Sequence, residues 1–131
     1  MIQIQNSQHS DYERLGGAQQ LRLLVDRFYD LMHELPETRA VRDLHPEDLT
    51  GSRQKLFEFL SGWLGGPPLF VEKHGPPMLR RRHLPFRIGA QESDQWLLCM
   101  RTALDEFVTD EELRTRLFAN LSKVAEHMRN A

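Results

Sequence analysis

The reading of this chain turns on the stretch Gly75-Pro-Pro-Met-Leu-Arg-Arg-Arg-His-Leu-Pro-Phe-Arg87. Pro76 and Pro77 each remove a backbone donor and fix φ, and Pro85 breaks the chain again. Between the breaks, Met78 to His83 has room for at most a turn and a half of helix, with three arginines running into one histidine. Helical patterns flank the stretch on both sides, so it reads as a shaped crossing between helices. Five cations lie between Lys73 and Arg87 with no acid among them.

Working outward, Leu15-Gly16-Gly17 is a sharp break upstream, and residues 1–12 before it read as a loose, glutamine-rich N-terminal extension with room for a short helix. Leu21, Leu24, Val25, Phe28, Met32 and Leu35 then share one face at helical spacing until Pro36. Thr38 to Leu44 is short and mixed, a turn or two of helix ahead of His45-Pro46. The next helix runs from about Gly51 to Leu64, with Leu56, Leu60 and Trp63 as its stripe and Phe57 and Phe59 beside it. Gly65-Gly66-Pro67-Pro68 stops it. Leu69 to Pro77 reads as a loop. Beyond Pro85, a helix from about Ala90 to Val108 carries Trp96, Met100, Leu104 and Phe107. Thr109-Asp-Glu-Glu112 has the form of a capping box, opening a last helix striped by Leu113, Leu117, Leu121, Val124 and Met128. No segment sustains a period of two, and no repeat appears. The fold class is all-α, with four substantial helices.

At 131 residues the chain makes one domain, large enough to enclose a core and a small cofactor. Lys and Arg total 17 against 19 Asp and Glu, so no general field favours nucleic acid or membrane surfaces. The lone Cys99 rules out an intrachain disulfide framework and fits a reducing compartment. No apolar run is long enough for a membrane span, and no signal-peptide core opens the chain. A cytoplasmic protein is the expectation.

Chemistry has few places to reside. Of His9, His33, His45, His74, His83 and His127, none forms an HExxH pair. No Cys-x-x-Cys-His is present, so any haem would be held non-covalently. Gly65-Gly66 lacks the Lys-Ser/Thr of a phosphate loop. A short helix pinned between Pro77 and Pro85 suits His83 to present one nitrogen to a metal, and the surrounding cations suit an anionic ligand edge. Spacing equally allows a surface histidine in a basic turn. Tyr29, Trp63 and Trp96 lie on or beside apolar stripes, where they either fill the core or turn a polar tip into a pocket. Arg80 to Arg82 reads either as a solvated face or as a short anion-binding patch.

Several strings taken together narrow this. Leu-Gly-Gly at 15 to 17, Arg27-Phe-Tyr29, His45-Pro-Glu-Asp48, Trp63-Leu-Gly-Gly-Pro67, Met78-Leu-Arg-Arg-Arg-His-Leu-Pro-Phe86 and Asp94-Gln-Trp-Leu-Leu-Cys-Met100 occur in this order. The chain resembles a truncated haemoglobin of group II over roughly Tyr12 to Met128. That resemblance implies a two-over-two helical sandwich binding haem b. It implies His83 as the proximal iron ligand, with Tyr29, Trp96 and His45 on the distal side. Ser52, Leu56, Met78 and Phe86 would line the pocket, and Arg53, Arg82 and Arg87 are the candidates for the propionates. His45 stands where the family usually has tyrosine or phenylalanine. The implied ligands are dioxygen, nitric oxide, carbon monoxide or peroxide. Several hydrogen-bond donors in a dry pocket would slow ligand release, which suits redox chemistry, such as nitric oxide dioxygenase or peroxidase-like turnover, better than transport. An external reductase would supply electrons. A sensor or scavenger without turnover is the alternative. The remaining expectations are a monomer or weak dimer and no nucleic-acid or membrane partner.

Overall fold

A computed structural model describes residues 9–131. Its elements are α1 (Asp11–Leu15), α2 (Gly17–Glu34), a 3₁₀ turn (Pro36–Thr38), α3 (Arg39–Arg42), α4 (Thr50–Trp63), α5 (Leu69–His74), α6 (Leu79–His83), α7 (Ala90–Phe107) and α8 (Glu111–Met128). No strand occurs among the described residues.

The four long helices form two layers. α2 packs on α4, α7 packs on α8, and the layers meet where α2 crosses α7. This is the two-over-two sandwich expected from the sequence. The stripe of α2 forms its centre: Leu21 and Phe28 are fully buried, and Leu24, Val25 and Met32 nearly so. Met100, Ala103 and Leu104 of α7 and Leu113, Leu117 and Leu121 of α8 complete the core. Burying that many large apolar side chains, at about 1.5–3 kcal/mol each, is the main favourable term. Their opposite faces stay polar, as amphipathic helices require.

The structure corrects the sequence reading at several places. The segment expected as a loop from Leu69 contains a full helix, α5, whose Phe70 is buried. Proline supplies no backbone donor, and the first residues of a helix need none, so Pro67-Pro68 can end α4 and still admit a new helix at once. The expected capping box at Thr109 does not form; Asp110 caps α8, its carboxylate accepting from the Leu113 amide at 3.2 Å. The inner face of α4 is Phe57, Leu60 and Ser61, with Leu56 and Trp63 only partly covered. On α8, Ala125 is buried where Val124 was expected.

Asp11 and Tyr12, assigned to the loose extension, are docked. Ser10 and Glu13 close a capping box on α1, and Arg116 grips the Asp11 carboxylate with two hydrogen bonds of 2.8 and 2.9 Å. The Tyr12 amide donates to the Leu64 carbonyl at 2.9 Å. Its ring lies so close to Gly66 that a Cβ there would come within 2.5 Å of ring carbons. Gly16, at φ 120°, supplies the left-handed turn between α1 and α2. The two glycine motifs thus let the end of α4 and the start of the fold touch.

Candidate functional site

α6 has no buried residue, so its shape comes from its flanks. Gly75 (φ 79°) and Met78 (φ 45°) bend the chain into it, Met78 at a cost that non-glycine residues rarely bear. Arg82 ties α6 to the preceding loop, donating to the carbonyls of Pro77 (2.6 Å), His74 (3.2 Å) and Pro76 (3.3 Å). Its guanidinium also lies 5.2 Å from the Phe70 ring centre.

The His83 Nδ1 sits 2.6 Å from the Leu79 carbonyl oxygen. A carbonyl only accepts, so Nδ1 carries the proton and Nε2 presents a bare lone pair. That is the tautomer a metal ligand needs, with the ring oriented by its own helix. Close to it along the chain, Met78, Leu84 and Phe86 are each 44% exposed or more, apolar side chains left uncovered.

Tyr29, Phe28, His45 and Trp96 form one ring cluster, with His45 near enough to His83 to feel its charge. Tyr29 is 5% exposed, its ring edge-on to Phe28 at 4.9 Å and to His45 at 5.8 Å. Burial pushes its hydroxyl pKa well up, although the Arg53 charge pulls the other way, so the hydroxyl keeps its proton. Trp96 packs against Phe28 at 5.2 Å. Neither the Tyr29 hydroxyl nor the Trp96 N–H has a hydrogen-bond partner among the described residues. No buried side-chain polar atom there is left unpaired either, so both groups open onto accessible space. Two donors without a protein acceptor are available to a ligand.

His45, the third residue expected on the distal side, is oriented by the carbonyl four residues before it. Its Nδ1 is 2.8 Å from the Val41 carbonyl oxygen and therefore holds the proton when neutral. Burial lowers its pKa; the Val41 contact opposes that, and the charges of Arg42 and of the nearby His83 lower it further. The neutral ring turns an accepting Nε2 away from Val41, and it donates there only when protonated.

Ser52 and Leu56 lie half-buried on α4. The three arginines named as candidates for the propionates diverge. Arg53 is committed to the Asp26 carbonyl (2.9 Å) and the Asp30 carboxylate (2.7 Å), and Arg82 to its own loop. Arg87 is exposed and has no protein partner among the described residues. Two open clefts of about 310 and 390 Å³ border the segment from Arg42 to Thr50. Neither includes His83, Tyr29 or Trp96, and Arg42 between them is paired with His33, Pro46 and Glu47.

One cluster escaped the sequence reading. Glu58 is buried on α4 and accepts from Gln54 (3.1 Å), Lys73 (3.1 Å) and His74 (3.0 Å). Burial alone would raise its pKa, but the three hydrogen bonds outweigh it and hold the carboxyl down to about 2. His74 also packs on Phe70 at 4.7 Å. The available signal was an acid beside Phe57 and Leu60 on the inner side of the helix, one turn after Gln54.

Comparisons with known proteins bear on the family and the fold. Residues 10–130 match the family described as bacterial-like globin. The chain is 43% identical over 122 residues to the group 2 truncated hemoglobin YjbI of Bacillus subtilis, covering 93% of this chain and 89% of that protein. It superposes with TM-score 0.91 on the group II 2-on-2 hemoglobin of Agrobacterium tumefaciens, at 49% identity over 93% of this chain and 95% of that one. The cold-adapted truncated hemoglobin of Pseudoalteromonas haloplanktis gives TM-score 0.92 and 46% identity, over 94% and 99%. A two-over-two helical frame and relatedness along nearly the whole chain lead to one conclusion: the protein belongs to the bacterial-like globins, as a group II truncated haemoglobin, a family whose members bind small gas ligands through haem.

Proposed function

We propose that this globin holds haem b non-covalently through Nε2 of His83 and performs redox chemistry on dioxygen, nitric oxide or peroxide in the cytoplasm, with electrons from a separate reductase. Haem, when bound, supplies an iron that takes small ligands and exchanges electrons. The remaining work falls to the chain. Leu79 holds the proton of His83 at Nδ1 and leaves Nε2 free. Met78, Leu84 and Phe86 offer an apolar edge. Arg87 is the cation best placed for a propionate, because Arg53 and Arg82 already have partners.

The observation that carries the reading is the pair of unpartnered donors, the Tyr29 hydroxyl and the Trp96 N–H. A diatomic ligand with negative charge on its outer atom is held by such donors, more strongly in a low-dielectric pocket than in water. A site that retains its ligand favours turnover over delivery. His45, neutral near pH 7 and accepting at Nε2, adds a proton acceptor beside those donors. The ferrous protein should show haem absorption bands and consume nitric oxide under oxygen when a flavin reductase and nicotinamide are supplied. A protein that binds haem and oxygen but turns nothing over would instead be a sensor or scavenger. Replacing His83 by Ala should abolish stable haem uptake; a variant with wild-type affinity and spectrum refutes the proximal assignment.

A further inference from the structure

α6 carries His83 but buries nothing, so core packing does not set its position. Besides the Arg82 ties to the preceding segment, the contacts that do come from the end of α8. Arg80 donates from Nη1 to the carbonyls of His127 (2.9 Å) and Arg129 (2.8 Å). His127 belongs to the last turn of α8 and Arg129 is the residue that caps it, where carbonyls lack intrahelical donors and the helix dipole favours a cation. Asn130 closes the other side. Its side-chain amide donates to the carbonyls of Phe86 (2.7 Å) and His83 (3.4 Å), and its side-chain oxygen accepts from the Ile88 amide at 2.9 Å. The backbone amides of Asn130 and Ala131 donate to the Ile88 carbonyl at 2.9 and 3.2 Å. The turn from Arg80 to Ile88 is therefore clasped at both ends by residues 127–131.

We propose that Arg80 and Asn130 are positioning residues for His83, acting through the backbone they clasp. This rests on the reading of His83 as the iron ligand. The imidazole is locked to Leu79 within α6, so helix and ring move together. Whatever holds α6 as a body therefore sets where Nε2 stands. Arg82 anchors the helix to the loop before it, and the clasp supplies the connection to the globin frame. Asn is suited to the task because it donates and accepts at once, as the Phe86 carbonyl and the Ile88 amide together require.

The test uses the full chain, wild type against Asn130→Ala, Asn130→Asp and Arg80→Lys, with and without haem. In the apoprotein, hydrogen exchange at the Ile88 amide should accelerate roughly tenfold in Asn130→Ala, the loss of about one net hydrogen bond. Asn130→Asp keeps that acceptor but sets a carboxylate oxygen against the Phe86 carbonyl, so it should keep only part of the protection. In the haem-loaded ferrous protein, the iron–histidine stretching band should shift or broaden in Asn130→Ala. Haem loss to an excess of acceptor protein should rise about tenfold. Arg80→Lys keeps the charge beside α8 and should fall between. Thermal unfolding of the core should change little, because neither side chain is buried. A band and a haem-loss rate unchanged in both Asn130→Ala and Arg80→Lys would overturn the positioning role alone. A wild type that takes up haem but shows no iron–histidine band would overturn the reading of His83 itself.

Discussion

Histidine tautomers carry much of the chemistry of this molecule. His83 and His45 each direct Nδ1 at the carbonyl four residues back, and each is left with a bare Nε2. The same local geometry gives an electron-pair donor in both places, so the proposed distal hydrogen bonds fall to Tyr29 and Trp96. Replacing Trp96 by Phe keeps the ring but removes the N–H. Oxygen dissociation, followed by stopped flow, should accelerate about tenfold, as expected for one lost hydrogen bond. Tyr29→Phe should do the same, since burial keeps that hydroxyl protonated throughout the accessible pH range. An unchanged off-rate in either variant removes that residue from the ligand's surroundings. Histidine titration should also be visible in the apoprotein. His45 has a folded pKa below its ordinary 6.5, so the unfolded chain takes up the proton first as pH falls. The associated stability is complete above pH 6.5 and is lost as pH drops through the folded value. His45→Gln should flatten that part of the melting-temperature profile.

Individual elements are joined by a few close contacts. α1 meets the end of α4 through Tyr12 and Gly66, and a methyl group at 66 would press into the ring. Gly66→Ala should cost about 1–3 kcal/mol in denaturant unfolding, the range for overpacking a tight contact. A neutral result would mean that α1 can move aside. α4 and α5 are joined by the buried Glu58 carboxylate with its donors from Gln54, Lys73 and His74. Because the Glu58 pKa is lowered from 4.5 to about 2, its contribution is fully present above pH 4.5 and is lost as pH falls toward 2. Glu58→Gln should lower stability by about 2 kcal/mol at pH 7 and flatten the acid limb. A pH profile identical to wild type would show that the carboxylate is not held in this way. The connection matters for the site, since α5 carries His74, whose carbonyl anchors Arg82 beside His83.

Across the whole molecule, two kinds of order coexist. The α2, α7 and α8 faces bury a continuous apolar core that any large-to-small substitution would open. The segment from Leu69 to Ile88 is held mainly by polar ties: Glu58 at one end, Arg82 within it, Arg80 and Asn130 at the other. Buried apolar contact sets the highest local stabilities, so hydrogen exchange in the apoprotein should be fastest in this segment and slowest in α2 and α7. Equal protection in the two regions would refute the division. No helix among the described residues is long and apolar enough to cross a membrane.

Periodicity alone sufficed for the all-α class, the four long helices and most of their buried stripes, because amphipathic spacing is a local property of the chain. His83, Tyr29 and Trp96 became site candidates through ordered motifs resembling a family, since spacing alone left each open to a bland reading. What only the tertiary structure decided concerns groups that meet across long sequence separations. Arg53 is consumed by Asp26 and Asp30, Glu58 draws in Lys73 and His74, and Asn130 reaches back to Phe86 and Ile88. The missed α5 and the displaced cap at Asp110 show the same limit at short range. Prolines and capping residues mark where a helix is permitted to start or stop, and packing selects among the permitted places. The proton positions on His45 and His83 follow from which carbonyl each ring touches in the folded chain, a fact of three-dimensional contact.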